Sequence, residues 1–106
     1  MAKKGFPETQ HRGKEIINRV CHILLKYLAI KKIILFGSRG KGTAHLGSDF
    51  DFAVDTTKPG SPVEMKIMEE IEEVAGLHQV DIIYLRDVEK DFKKIVLKTG
   101  RVIYER

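Results

Sequence analysis

The sequence predicts a single small α/β domain, in the wider sense α+β, with a mixed β-sheet flanked by helices. Three observations carry this reading. Short β-branched and aromatic runs alternate with stretches of helical periodicity along the 106 residues. Their order is αβ, β, αβ, αβ, which implies a mixed sheet. There is no internal repeat, linker or low-complexity tract, and the length suits one modest core.

Residues 1–8 read as a flexible arm, and 9–106 as the domain. From Thr9 to Ala29 the pattern is helical. Ile16, Val20, Ile23, Leu24, Tyr27 and Leu28 form one stripe, Lys14, Arg19 and Lys26 lie off it, and Gly13 weakens the first turns. Lys32–Phe36 is a buried strand that stops at Gly37. Phe50–Val54 is a second strand. Its alternation sends Asp49, Asp51 and Ala53 to one face and Phe50, Phe52 and Val54 to the other.

Residues 56–60 are turn-rich. Ser61 is then expected as an N-cap, with Pro62 at the first helical position and Glu64 closing a capping box. Ile67, Met68, Ile71, Val74 and Ala75 give this helix its apolar stripe, Gly76 ends it, and its two methionines read as core filler. Val80–Leu85 is a third strand with one carboxylate, Asp81, in an apolar run. Asp87 is expected to cap a short helix carrying Phe92, Ile95 and Val96. Thr99-Gly100 ends that helix, and Val102–Tyr104 is the last strand.

The formal charge is +4 and the isoelectric point near 9.2. This mild basicity permits nucleotide or RNA binding without requiring it, and most of the scattered lysines and arginines are expected on a solvated surface. Cys21 is the lone cysteine, so no internal disulfide is possible and a reducing cytoplasm is the expected setting. A half-buried thiol is expected there rather than a nucleophile. Met1–Lys4 is followed by no apolar signal region, and no run approaches the length of a membrane span.

The residues that carry chemistry lie between and beside the strands. A strand ending in Gly37-Ser38 allows a sharp turn that aims N–H groups at an anion, with Arg39 and Lys41 adding charge suited to a triphosphate. The glycines match neither a Walker A loop nor a dinucleotide fingerprint. Asp49 and Asp51 share a strand face. Two carboxylates about 5 Å apart repel by about 3 kcal/mol at an effective dielectric of 20, so the arrangement calls for a counter-charge. Magnesium, an oxygen-seeking ion that bridges carboxylates and phosphates, meets that need. A two-metal site wants a further carboxylate, and Asp81 is the candidate, because a lone charge buried in an apolar strand is costly.

The stretch Gly37-Ser38-Arg39-Gly40-Lys41-Gly42-Thr43-Ala44-His45-Leu46-Gly47-Ser48-Asp49-Phe50-Asp51-Phe52 resembles the signature of the DNA polymerase β-like nucleotidyltransferase superfamily, and within it the minimal nucleotidyltransferase (MNT) branch. The resemblance covers nearly the whole chain, including the ending Gly-Arg-Val-Ile-Tyr-Glu. It implies a nucleotidyltransferase fold and Mg²⁺-dependent transfer of a nucleoside monophosphate, AMP from ATP in the expected case, to an acceptor hydroxyl, with release of pyrophosphate.

Carried over by position, Asp49, Asp51 and Asp81 would bind two Mg²⁺ ions, with Asp81 also assisting deprotonation of the acceptor. Gly37 and Ser38 would hold the triphosphate, with Arg39 and Ser48 beside them. Gly40, where relatives commonly have alanine, and Phe52, where leucine is usual, depart from the pattern without removing a ligand. Minimal members commonly pair with a small helical HEPN-type partner as antitoxin and toxin. The resemblance therefore implies a hetero-oligomer in which a tyrosine of the partner accepts AMP. Two other readings stay open: an antitoxin that neutralises its partner by contact, and a transferase acting on RNA or a small molecule. His45 reads as an exposed loop residue, and Tyr27, Tyr84 and Tyr104 as packing residues.

Overall fold

A computed structural model describes residues 8–37 and 50–106. Helix α1 spans Glu8–Tyr27, followed by strand β1 (Lys32–Phe36) and strand β2 (Phe50–Val54). Helix α2 (Ser61–Ala75), strand β3 (Val80–Tyr84), helix α3 (Lys90–Thr99) and strand β4 (Arg101–Glu105) complete the order. The strands form one sheet in the order β3-β2-β1-β4. β1 runs antiparallel to both β2 and β4, while β2 and β3 are parallel. The sheet is therefore mixed, as the sequence predicts, with α2 making the long crossover that a parallel pair requires.

The pleat divides the core between the two faces of the sheet. Ile33 and Leu35 of β1 and Phe50, Phe52 and Val54 of β2 pack in one cluster with Ile16, Val20 and Leu24 of α1 and Ile67 and Ile71 of α2. Ile34 and Ala53 pack in a second cluster with Leu85 and with Val96 of α3, flanked by Phe36 and Ile83. Two helices thus cover one face and one short helix the other. The two central strands are near-continuous in burial because both of their faces are covered.

Local signals explain most boundaries, and a few differ from expectation. The arm expected over residues 1–8 lies outside the described residues except for Glu8, which opens α1. Gly60, not Ser61, is the extended N-cap of α2; its carbonyl accepts the N–H groups of Val63 and Glu64 at 3.1 and 3.0 Å, and no side chain caps the helix. Pro62 sits one position further into the helix than expected, still where its missing N–H is harmless. Gly76, with φ 64°, ends α2.

Asp87 does not cap α3. Glu89 is the N-cap residue, and Asp87 instead accepts the Lys58 N–H at 2.8 Å, pinning the 56–60 turn. Met68 packs against the core, but Met65 is 62% exposed, so only one of the two methionines is filler.

Two polar links join elements distant in sequence. Asp55 Oδ1 accepts the N–H groups of both Lys31 and Lys32 at 3.1 Å, tying the start of β1 to the end of β2. Glu70 of α2 accepts from Lys26 Nζ at 2.8 Å and from the Tyr27 hydroxyl, tying α2 to the end of α1. Cys21 is half-buried, and burial pushes its thiol up to about 11, far from the range of a nucleophile.

Candidate functional site

β1 ends at Phe36 and is followed by Gly37, which has φ +75°, a conformation that side chains resist. Antiparallel pairing sets Phe36 opposite Asp51. A β-carbon at Gly37 would lie 2.6 Å from Asp51 Oδ2, so the carboxylate occupies the space that glycine leaves open. Backbone geometry and the acidic group therefore demand glycine here for two independent reasons.

Parallel pairing then sets Asp51 directly beside Asp81. The Phe50 N–H donates to the Gln79 carbonyl at 2.9 Å, which anchors this register at the mouth of the two strands. Paired positions on neighbouring strands are about 4.8 Å apart and project to the same face. Here that is the face of Ala53 and Ile83, shared with α3. Gly37, Asp51 and Asp81 thus lie in a row across the ends of β1, β2 and β3.

Asp51 is half-buried, whereas Asp81 is exposed. The expectation of a buried Asp81 is corrected by topology. β3 is an edge strand, so alternation sends Asp81 to open space while Val80 and Tyr84 turn into the core. The desolvation cost that singled out Asp81 in the sequence is therefore small, and its register beside Asp51 is the stronger indication. Ser38, Arg39, Ser48 and Asp49 lie outside the described residues, as does His45, in the segment that connects Gly37 to Phe50.

The pair Asp51 and Asp81 supplies hard oxygen donors of the kind a divalent magnesium ion prefers. Among the described residues no group of three or more His, Cys, Asp or Glu side chains could hold a metal ion. Within the sequence, Asp49 is the further carboxylate two positions from Asp51.

Sequence reasoning missed a cleft of about 440 Å³ beyond Asp81, between the end of α2 and the start of β3. Met68, Ile71, Ala75 and Val80 form its apolar part, and Glu72, His78, Gln79 and Asp81 its polar part. His78 stacks edge-on against Phe50 at 5.5 Å, and its Nδ1 is buried without a hydrogen-bond partner among the described residues. No motif marks these residues; only the nearness of His78 and Gln79 to Asp81 in the chain could have pointed to them.

The tyrosines behave as packing residues. Tyr84 is buried, and Tyr27 and Tyr104 flank the main core cluster. Burial raises the Tyr84 hydroxyl above its ordinary range.

The family model for polymerase beta nucleotidyltransferases matches residues 18–106. The chain belongs to the polymerase beta nucleotidyltransferase family. No curated protein sequence matches it significantly.

Among solved structures, a toxin-antitoxin crystallised with AMP-PNP is similar over 84% of this chain and 73% of its own, at 23% identity and a TM-score of 0.71. A complex of tri-AMPylated Shewanella oneidensis HEPN toxin with MNT antitoxin is similar over 90% of this chain and 73% of its own, at 18% identity and a TM-score of 0.66. A structure described as a minimal nucleotidyltransferase is similar over 92% of this chain and 97% of its own, at 19% identity and a TM-score of 0.63. At these identities the likeness shows the fold: a small nucleotidyltransferase domain with a four-stranded mixed sheet. Among the described residues no helix is long and apolar enough to cross a membrane.

Proposed function

We propose that this domain is a Mg²⁺-dependent nucleotidyltransferase that transfers AMP from ATP to a tyrosine hydroxyl of a small helical HEPN-type partner, and so acts as the antitoxin of a pair in the cytoplasm. The observation that carries the reading is the row of Gly37, Asp51 and Asp81. The turn that ends β1 sits against one carboxylate, and the β2–β3 register brings up a second. The family supports nucleotidyl transfer, and the solved toxin-antitoxin structures of the same fold support the partner and the transferred group.

In this reading Asp49, Asp51 and Asp81 hold two magnesium ions, which when bound would neutralise the triphosphate and lower the pKa of the acceptor hydroxyl. The backbone at Gly37 and the hydroxyl of Ser38 bind the phosphates, with Arg39 and Ser48 beside them. Asp51 orients the donor, since its carboxylate is held against Gly37. Asp81, exposed on the edge strand, receives the acceptor proton.

The test is incubation with α-labelled ATP, Mg²⁺ and the protein encoded beside this chain. Label on that protein, lost in Asp49→Asn and Asp51→Asn, is the expected result. Neutralisation of the partner that survives both substitutions would instead establish an antitoxin acting by contact. Label confined to RNA or a small alcohol would overturn the protein acceptor.

A further inference from the structure

We propose that this chain self-associates head to tail, the basic outer face of α3 in one copy docking on the acidic outer face of α2 in the next. The contact is independent of the transfer chemistry. α3 buries little of its apolar content. Of its apolar residues only Val96 is buried, and Ile95 and Leu97 remain 57% and 47% exposed. Phe92 and the neighbouring Val102 of β4 are exposed with them. Among the described residues, every other large apolar side chain that stands exposed lies on α2 or directly after it: Val63, Met65 and Leu77. Exposed apolar residues are ordinary when scattered singly, but here they gather on two surfaces of one small domain.

Charge makes the two surfaces complementary. Lys90, Lys93, Lys94 and Lys98 of α3 and Arg101 at the start of β4 have no ion-pair partner among the described residues. The same holds for Glu69, Glu72 and Glu73 of α2, whereas Glu64 and Glu70 are already paired with Lys58 and Lys26. Like charges disfavour α3 against α3 and α2 against α2, so the opposite patches meet. A nucleic-acid backbone would satisfy the lysines but offers no apolar surface to Ile95 and Leu97. The α2 face of a second copy offers both carboxylates and apolar side chains.

The helices also match in size. Met65 to Glu73 on α2 and Lys90 to Lys98 on α3 each cover about 12 Å of helix. A shallow groove of about 210 Å³ runs along α2, lined by Met65, Met68, Glu64, Glu69 and Glu72. Leu97 is the side chain that fits it. Lys93 and Lys94 lie one turn before Leu97 on the same face of α3, so they reach Glu69 and Glu72 when Leu97 seats against the methionines. α2 and α3 cover opposite faces of the sheet, so each contact uses one patch from each copy and leaves the other free. Such heterologous association builds open chains or closed rings. The contact is small, and the association is therefore weak and concentration-dependent.

The experiment follows the mass of the whole chain by analytical ultracentrifugation from about 10 μM to about 1 mM, concentrations suited to a weak contact. The expected result is an average mass that rises at least about twofold across this range. Lys93→Glu/Lys94→Glu and Glu69→Lys/Glu72→Lys should each weaken association at least about tenfold, and mixing the two variants should restore it, because the mixture contains one native α3–α2 pair. Leu97→Asn, which alters no charge, should also weaken it at least about tenfold. Thermal melts report the folding of each variant, and exposed substitutions of this kind are expected to leave it intact. A wild-type chain that stays monomeric at the highest concentration would overturn the proposal. So would association unmoved by either charge reversal or by Leu97→Asn, or a mixture of folded variants that remains monomeric. A monomeric wild-type chain that instead binds single-stranded RNA or an acidic peptide through Lys93 and Lys94 would give the basic face a different occupant and equally overturn it.

Discussion

Replacing Gly37 with alanine tests the site through a single methyl group. The new β-carbon meets two penalties. At φ +75° an L-residue is strained by about 1–2 kcal/mol. The added carbon would also stand 2.6 Å from Asp51 Oδ2, whereas ordinary contact begins near 3.4 Å, so the carboxylate must retreat by about 0.8 Å. Forced repacking of this kind costs about 1–3 kcal/mol, bringing the expected loss to about 2–5 kcal/mol. For a domain of this size that lowers the melting temperature by roughly 10–20 °C.

A displacement approaching 1 Å in a group that positions substrate costs about 100-fold in rate, so transfer should fall further than stability alone explains. Denaturant melts and labelled-ATP transfer measure the two effects. A double-mutant cycle separates their causes. Asp51→Ala keeps only the Asp51 β-carbon, 3.8 Å from the new methyl and in ordinary contact, so in that background Gly37→Ala should cost only the strain. An alanine variant as stable and active as the parent, or an unchanged penalty in the Asp51→Ala background, would refute the reasoning.

Three further outcomes are expected. Asp81→Asn should reduce transfer by about 100-fold or more while altering stability by no more than about 0.5 kcal/mol, because the side chain is exposed; retained transfer removes Asp81 from the reaction. Gly100→Ala should destabilise by about 1–3 kcal/mol although its φ is ordinary, since its β-carbon would lie 2.4 Å from Ile34 Cγ2 and 2.7 Å from the Val96 carbonyl oxygen; an unchanged denaturation midpoint contradicts the close approach of β4 to β1. The Glu70 carboxyl is held below its usual range, first by the hydrogen bond from Lys26 and then by that from Tyr27. A depressed folded pKa stabilises above the unfolded value of about 4.3, and this contribution is lost as pH falls through the lower folded value. The stability difference between the parent and Glu70→Gln should therefore shrink below about pH 4 in urea melts, and a constant difference would show that the α1–α2 link is not ionic.

The elements were legible because each is specified by local chemistry. β1 and β2 span the residues that the apolar runs mark, and α1 follows its stripe from Ile16 to Leu24. Boundaries slipped where two neighbouring residues compete for one role. Gly60 took the cap expected of Ser61, and Glu89 that expected of Asp87, whose carboxylate found a distant N–H instead. Met65 fell outside the core because its position on the turn of α2 faces solvent, while Met68, three residues on, packs inward.

The candidate site divides in the same way. Gly37, the alternation around Asp51 and the presence of a carboxylate in β3 could be read along the chain, because they depend on the residue types and the period of a strand. That Asp81 stands abreast of Asp51 could not, since a shift of one residue in register would have turned it to the opposite face. Nor could its exposure, which follows from β3 taking the edge of the sheet. By itself the sequence determined the strands, helices and acidic groups from which a nucleotidyltransferase domain is made. Only the tertiary structure decided that the Asp51 carboxylate fills the space of the missing Gly37 side chain, and that a cleft opens between the end of α2 and the start of β3. The first depends on β1–β2 pairing, and the second on how α2 packs against the sheet before the chain enters β3; no local preference records either.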